Sequence, residues 1–336
     1  MSELSEPLTP QQQVADMVED GKAQQAAVVT AREPRVRKLN IIGRRNWFFA
    51  LSLLIIIPGI VSMWHNHFLL GIDFAGGTEF TVSFANKPDL PAVERAVEAD
   101  NASGSVIQTS EGGYILRYPP LGAAQQTTVQ NNLQSRLGPM TVQRILEVGG
   151  TIAGETIAFS LLAVGLASVA ILLLLAIRFR NVPGGWRAGF QFGGSALAAL
   201  LHDVFVLAGL FSIFGTVFHW RVGQIDSFFV TAVLTVVGFS VHDTIVVFDR
   251  IRENLRVSQR LSFEQVVNLS IMQTAARSII TSFTVVLVLA SIFIAGGPTL
   301  QGLALALLIG IISGTYSSIF NAAPLLVVWR RLQPLR

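Results

Sequence analysis

Six stretches of this chain stay apolar for roughly the 20 residues that a helix needs to cross a bilayer core. They cover approximately 47–64, 155–177, 188–214, 227–248, 278–295 and 301–329. In the second, residues 161–177 carry no charge at all. A buried helix of a soluble protein is rarely apolar on every face over that length. Charged residues make up 13% of the 336 residues, against about 25% in an average soluble domain. The chain has no cysteine, which excludes disulfides, thiolate metal sites and cysteine nucleophiles.

The basic residues orient the spans. Arg32, Arg35, Arg37, Lys38, Arg44 and Arg45 precede the first. Arg178, Arg180 and Arg187 lie between the second and third, and Arg250, Arg252, Arg256 and Arg260 between the fourth and fifth. Arg330, Arg331 and Arg336 follow the sixth. All four clusters fall on one side if the spans alternate. The expected topology is a multi-pass protein with both termini in the cytoplasm. A cleaved signal peptide is not expected, because the first span follows a long tail and has no small-residue cleavage site behind it. That tail, residues 1–38, reads as a disordered cytoplasmic segment or loose helix. The remaining divisions are a first transmembrane helix with its basic flank (39–64), an outer domain (65–150), five further helices with their loops (151–330) and a cytoplasmic C-terminus (331–336).

The outer domain reads as β-α-β-β-α-β. Residues 78–84 alternate in strand fashion, 88–100 and 123–137 are amphipathic helices, and 105–109, 114–118 and 140–148 are strands. A Glu111-Gly112-Gly113 turn joins the middle pair. This order matches a ferredoxin-like split unit. The fold class is therefore an integral membrane α-helical bundle of six transmembrane helices, with a small α+β ferredoxin-like extracytoplasmic domain between the first and second.

Charge inside a bilayer is costly, by at least about 2.5 kcal/mol at mid-helix on insertion scales. Here it clusters: His202-Asp203 in the third span, His242-Asp243 in the fourth and Arg277 at the start of the fifth. Asp243 lies roughly 9 Å from the basic edge near Arg250, too deep for a short carboxylate to reach water. The next span returns at that level, so an Asp243–Arg277 partnership is geometrically reasonable. Burial would favour the acid and Arg277 the carboxylate, giving a site that exchanges protons when its neighbours move. The plainer alternatives are that Arg277 snorkels to the headgroups and that the histidines are neutral hydrogen-bonded residues at helix contacts. Asp249, Arg250, Arg252 and Glu253 read as interfacial. A metal on the two His-Asp pairs is not expected, since other ligands are few. Two GxxxG runs, at 189–193 and 310–314, suit close helix packing. Ser262 and Gln265 form a capping box that would open an amphipathic cytoplasmic helix through about Met272, lying on the membrane surface. No Walker A, GxSxG or HExxH motif is present, so no enzymatic activity, cofactor or metal is expected.

These residues together resemble the SecF family, six-span subunits of the bacterial SecD–SecF protein-export complex. The motifs are residues 71–78 (GIDFAGGT), 201–204 (LHDV), 237–254 (VGFSVHDTIVVFDRIREN), 277–282 (RSIITS) and 293–297 (FIAGG). The fourth-span string is long and specific. The resemblance implies a SecD-like six-span partner, a twelve-span bundle akin to resistance-nodulation-division transporters, and association with the SecYEG channel. It implies use of the proton-motive force, in the inner membrane, to help draw a translocating polypeptide outward. Membrane lipid is an expected partner and nucleic acid is not. Asp243 and Arg277 match the family's proton-passage Asp and Arg. His242 stands where the family usually has Asn, so it either joins the relay or replaces that hydrogen-bonding group. Asp203, His202 and Asp249 are secondary candidates. The rival readings are half of a proton-driven small-molecule efflux transporter, an assembly scaffold and a metal-dependent membrane enzyme.

Overall fold

A computed structural model describes residues 39–100, 104–109, 112–257 and 260–334. The expected tail, Glu111 and Arg336 lie outside the described residues. Among the described residues, six helices are long and apolar enough to cross a membrane: Ile42–His65, Gly150–Arg178, Gly185–Val217, Ser227–Val257, Phe263–Ala295 and Leu300–Leu332. Every expected stretch falls inside one of them, and most helices overrun their stretch at both ends. Apolarity marks the hydrocarbon slab, whereas a helix continues until its backbone is capped.

The third, fourth and sixth spans form the interior, with 44%, 50% and 56% of their most apolar windows buried, against 17% or less for the other three. Glycines set the approach distances. A Cβ added at Gly59 would lie 2.8 Å from Gly209 Cα, so the first and third spans meet backbone to backbone. Both GxxxG runs work this way. Gly189 and Gly193 pack on Ala176 and Leu172 of the second span, and Gly310 and Gly314 on Val236 and Ser240 of the fourth. At the basic end, Phe179 stacks on Phe192 (centroids 4.9 Å apart) and Phe248 meets both edge-on.

Two spans are not uniform α-helices. The third widens into π turns at Ile213–Val217 and the sixth at Ser318–Ala322. The fifth corrects an expectation. Ser262 Oγ accepts from Gln265 N (3.3 Å) and Gln265 Oε1 accepts from Ser262 N (2.9 Å), so the capping box forms. The helix it opens, however, does not stop near Met272 to lie on the surface. It runs unbroken to Ala295 as one 33-residue helix. No Gly or Pro interrupts residues 263–295, and Val266, Val267, Ser270, Ile271 and Thr274 bury in the bundle.

Between the first two spans lies a four-stranded sheet: β1 (Gly77–Phe84), β2 (Ser105–Gln108), β3 (Tyr114–Tyr118) and β4 (Met140–Val148), with helices Leu90–Asp100 and Ala123–Leu137. The order is β2-β3-β1-β4, with every neighbouring pair antiparallel. Phe80, Val82 and Phe84 of β1 face one way, as period-2 alternation requires. They bury with Tyr114, Leu116, Val93, Val97, Val129 and Leu133 under the two helices. β4 passes into the second span through Gly149 and Gly150.

Candidate functional site

Asp203 is the most enclosed of the expected site residues, at 1% exposure. Its Oδ2 accepts from Ser240 Oγ of the fourth span and Ser317 Oγ of the sixth, both at 2.7 Å. Its Oδ1 accepts from Ser313 Oγ at 2.7 Å and lies 3.1 Å from His202 Nδ1. Ser313 and Ser317 are four residues apart, so one face of the sixth span delivers both. Three spans are thereby joined at a single carboxyl group by interhelical hydrogen bonds. His202 Nε2 is buried with no hydrogen-bond partner among the described residues, and the ring stacks on Tyr316 at 6.1 Å.

Asp243, one turn further along the fourth span than Ser240, is 6% exposed. Its Oδ1 accepts from Ser278 Oγ of the fifth span at 2.5 Å. Its Oδ2 is buried and has no hydrogen-bond partner among the described residues. The expected Asp243–Arg277 ion pair is not formed. Consecutive helical residues point about 100° apart, and the position facing Asp243 is Ser278, which leaves Arg277 exposed. His242, the neighbouring residue and about 100° round the helix from Asp243, is exposed. Thr244 Oγ1 lies 2.9 Å from Ser318 Oγ, inside the π segment of the sixth span. Asp249 sits at the basic end, where it accepts from Arg178 (2.9 Å) and is ion-paired with Arg252 (3.3 Å). Among the described residues no group of three or more His, Asp or Glu side chains is gathered closely enough to hold a metal.

The sheet-bearing end contains a junction that the charge pattern alone does not reveal. Gly71 N donates to Ile225 O (2.7 Å) and Ile225 N to Leu69 O (2.8 Å), forming a short parallel bridge to the segment before the fourth span. A Cβ at Gly71 would meet Gln224 and Asp226 at 2.6 and 2.8 Å, so only glycine fits. Asp73 Oδ2 then accepts from Ser227 N (3.0 Å), and Asp226 Oδ1 from Phe229 N (2.9 Å). Two carboxylates thus satisfy the first amides of the fourth span. Burial pushes the Asp226 carboxyl above the usual carboxylate range, opposed by its bond to Phe229 N and reinforced by neighbouring Asp73. On the sheet face turned towards the bundle, Arg117 Nε donates to Glu79 Oε2 (2.8 Å) and Arg117 Nη2 to Gln224 Oε1 (2.7 Å). Burial lowers the Arg221 guanidinium beside this pair. An Asp directly before an apolar run is an N-cap signal, and it would have pointed to Asp226.

Comparison with known proteins bears on the same elements. Residues 128–332 match the family described as protein export membrane protein SecD/SecF, C-terminal, and residues 61–87 match the SecD/SecF GG motif. The chain is 42% identical over 311 residues to the protein translocase subunit SecF of Thermobaculum terrenum, covering 89% of this chain and 96% of that one. It is also 42% identical over 297 residues to the subunit of that name from Anaerolinea thermophila, covering 87% and 94%. The crystal structure of SecDF, a translocon-associated membrane protein from Thermus, superposes with a TM-score of 0.77 at 29% identity. The match covers 92% of this chain and 41% of that longer chain, so the likeness is to less than half of it. SecDF in its super-membrane-facing form gives a TM-score of 0.60, also at 29% identity.

Proposed function

Because this chain belongs to the SecF family of protein translocase subunits, we propose that it pairs with a SecD-type six-span subunit and uses the proton-motive force to promote late steps of protein export through SecYEG. It does so from the inner membrane, with both termini in the cytoplasm and a ferredoxin-like domain outside. The β2-β3-β1-β4 antiparallel order supports that domain class, and the four basic clusters support the orientation. The chain acts as a non-enzymatic energy coupler.

The observation that carries the reading is a polar, exposed face beside Asp243. On the fourth span Thr231, Thr235, Gly238 and His242 are all exposed, at the i, i+4, i+7, i+11 spacing of one helical face. On the adjoining fifth span Thr281 and Thr284 are exposed as well. Hydroxyls and an imidazole are poor partners for acyl chains and good ones for another helix bundle. Gly238, with nothing within 4 Å of an added Cβ, leaves room for a close approach. The partner would cover this face and bring polar groups near the free Oδ2 of Asp243. In this mechanism a proton arriving at Asp243 alters its bond with Ser278 and its field on Arg277. The fourth span shifts against the fifth, and the junction at Asp73 and Asp226 passes that movement to the sheet. One elementary charge crossing 100 mV is worth about 2.3 kcal/mol, enough to bias such a two-state element.

The test is Asp243→Asn in membrane vesicles carrying an imposed proton gradient. Export should lose its stimulation by the gradient while ATP-driven export persists; undiminished stimulation would remove Asp243 from the mechanism. Mild-detergent purification should recover a second six-span chain with its own outer domain. Recovery only as a homodimer would favour an efflux transporter.

A further inference from the structure

At the basic end, a cavity of about 540 Å³ opens between the fourth and fifth spans, with Arg250, Arg252, Arg256, Arg277, Asp249 and Glu253 on its walls. The two acids are already engaged. Asp249 binds Arg178 and Arg252, and Glu253 accepts from Arg250 Nη1 at 2.6 Å. Arg256 and Arg277 form no ion pair among the described residues, and both are exposed. The cavity therefore presents two uncompensated guanidinium groups. Its surroundings are apolar on the bilayer side, where Ile280, one turn deeper than Arg277, is 64% exposed.

We propose that this cavity holds the phosphate of an anionic phospholipid, with its acyl chains lying along the fifth span past Ile280. The proposal goes beyond the export reading and does not depend on it. The chemistry is that of a phosphate monoanion: a planar guanidinium presents paired N–H donors that match phosphate oxygens. Three features favour a lipid over free phosphate. The cavity lies at the end of a membrane span, at headgroup level. It is continuous with an exposed apolar surface on the slab side. Its donors are arginines, which combine with apolar stems to suit a site half in water and half in lipid. A headgroup bound here would occupy Arg277 from the side away from Asp243 and hold the fifth span at a fixed depth.

The test uses the full purified chain, titrated with phosphatidylglycerol or with phosphatidylcholine of the same acyl composition, and read by native mass spectrometry. Phosphatidylglycerol should be retained in preference to phosphatidylcholine, and millimolar inorganic phosphate should not displace it. Arg256→Gln should weaken phosphatidylglycerol binding by about tenfold, the loss of one charge-assisted contact; Arg256→Lys should restore part of it. Arg256 is exposed, so neither variant disturbs the core, and an unchanged unfolding midpoint verifies this. Equal retention of the two lipids, full displacement by inorganic phosphate, or unchanged affinity in Arg256→Gln would each overturn the proposal. So would loss of lipid when the partner subunit is bound, since a partner carboxylate would then be the natural occupant.

Discussion

Replacing Asp203 with Ala removes the acceptor of three interhelical hydroxyl donors and leaves Ser240, Ser313 and Ser317 facing one another. Interhelical hydrogen bonds in membrane bundles average about 0.6 kcal/mol each and reach about 1.7. Three of them give about 2 kcal/mol at the mean and about 5 at the upper limit. Ser317 Oγ also lies 3.2 Å from Gly314 O and can turn to that carbonyl, which favours the lower figure. The expected loss is therefore about 2 kcal/mol, or roughly 30-fold in the folding equilibrium. Asp203→Asn keeps an acceptor oxygen and the same shape, so it should cost less than half as much. The measurement is reversible unfolding in mixed micelles for both variants, with Ser313→Ala and the double variant completing a cycle. A coupling near zero, a change under about 0.5 kcal/mol for the Ala variant, or equal damage from Asn and Ala would refute the view that Asp203 joins the third, fourth and sixth spans.

Other expectations follow from contacts elsewhere in the molecule. Gly59→Ala would press a Cβ to 2.8 Å from Gly209 Cα, and overpacking of this kind should destabilise by about 1–3 kcal/mol in the same assay. The folded chain holds a proton on Asp226 more tightly than the unfolded chain does, because burial raises that carboxyl. Stability attributable to it should therefore rise as pH falls from above the raised value towards the ordinary carboxylate value. Asp226→Asn keeps the helix cap and should flatten that dependence, as read from unfolding midpoints across acid pH; an identical slope in both proteins would exclude it. Arg117→Met cuts the link to Gln224 while preserving the side-chain stem. Hydrogen exchange should then quicken at 224–229 and stay unchanged across the core face of β1.

The spans were legible because a slab of hydrocarbon imposes the same demand on every helix that crosses it. The strands and helices between the first two spans were legible from period 2 and period 3.6. The fifth span was misjudged in length because the amphipathic pattern changes near Met272 while the backbone does not. Residues 263–274 bury one side in the bundle, whereas residues beyond Ser278 expose large apolar side chains such as Ile279, Ile280, Phe283 and Leu287. The π turns at Ile213–Val217 and Ser318–Ala322 left no mark in composition. His202-Asp203 and His242-Asp243 look alike in sequence yet differ in kind. One carboxylate collects hydroxyls from two neighbouring helices, and the other meets a single serine. Only tertiary register decides this, as it decides that Ser278 rather than Arg277 reaches Asp243. The junction at Asp73, Asp226, Glu79 and Arg117 was missed because its members are distant in sequence.

The unbroken fifth helix makes the bundle a lever. Ser278, which holds Asp243, lies 15 residues from Phe263 at the helix start, or about 22 Å along the axis. A tilt of about 5° around Ser278 would carry that start through about 2 Å, by the geometry of a rigid rod of that length. Glu264 stands there in an ion pair with Arg331 of the sixth span, and Asn268 accepts from Ile41 N at the beginning of the first. The same tilt moves Asn268, 10 residues from Ser278, through about 1.3 Å, and shifts of about 1–2 Å are more than hydrogen-bonded contacts can stretch. A small change of packing at one buried carboxylate is thus magnified into the making or breaking of contacts two helices away, where a probe placed on Glu264 and Arg331 could register it.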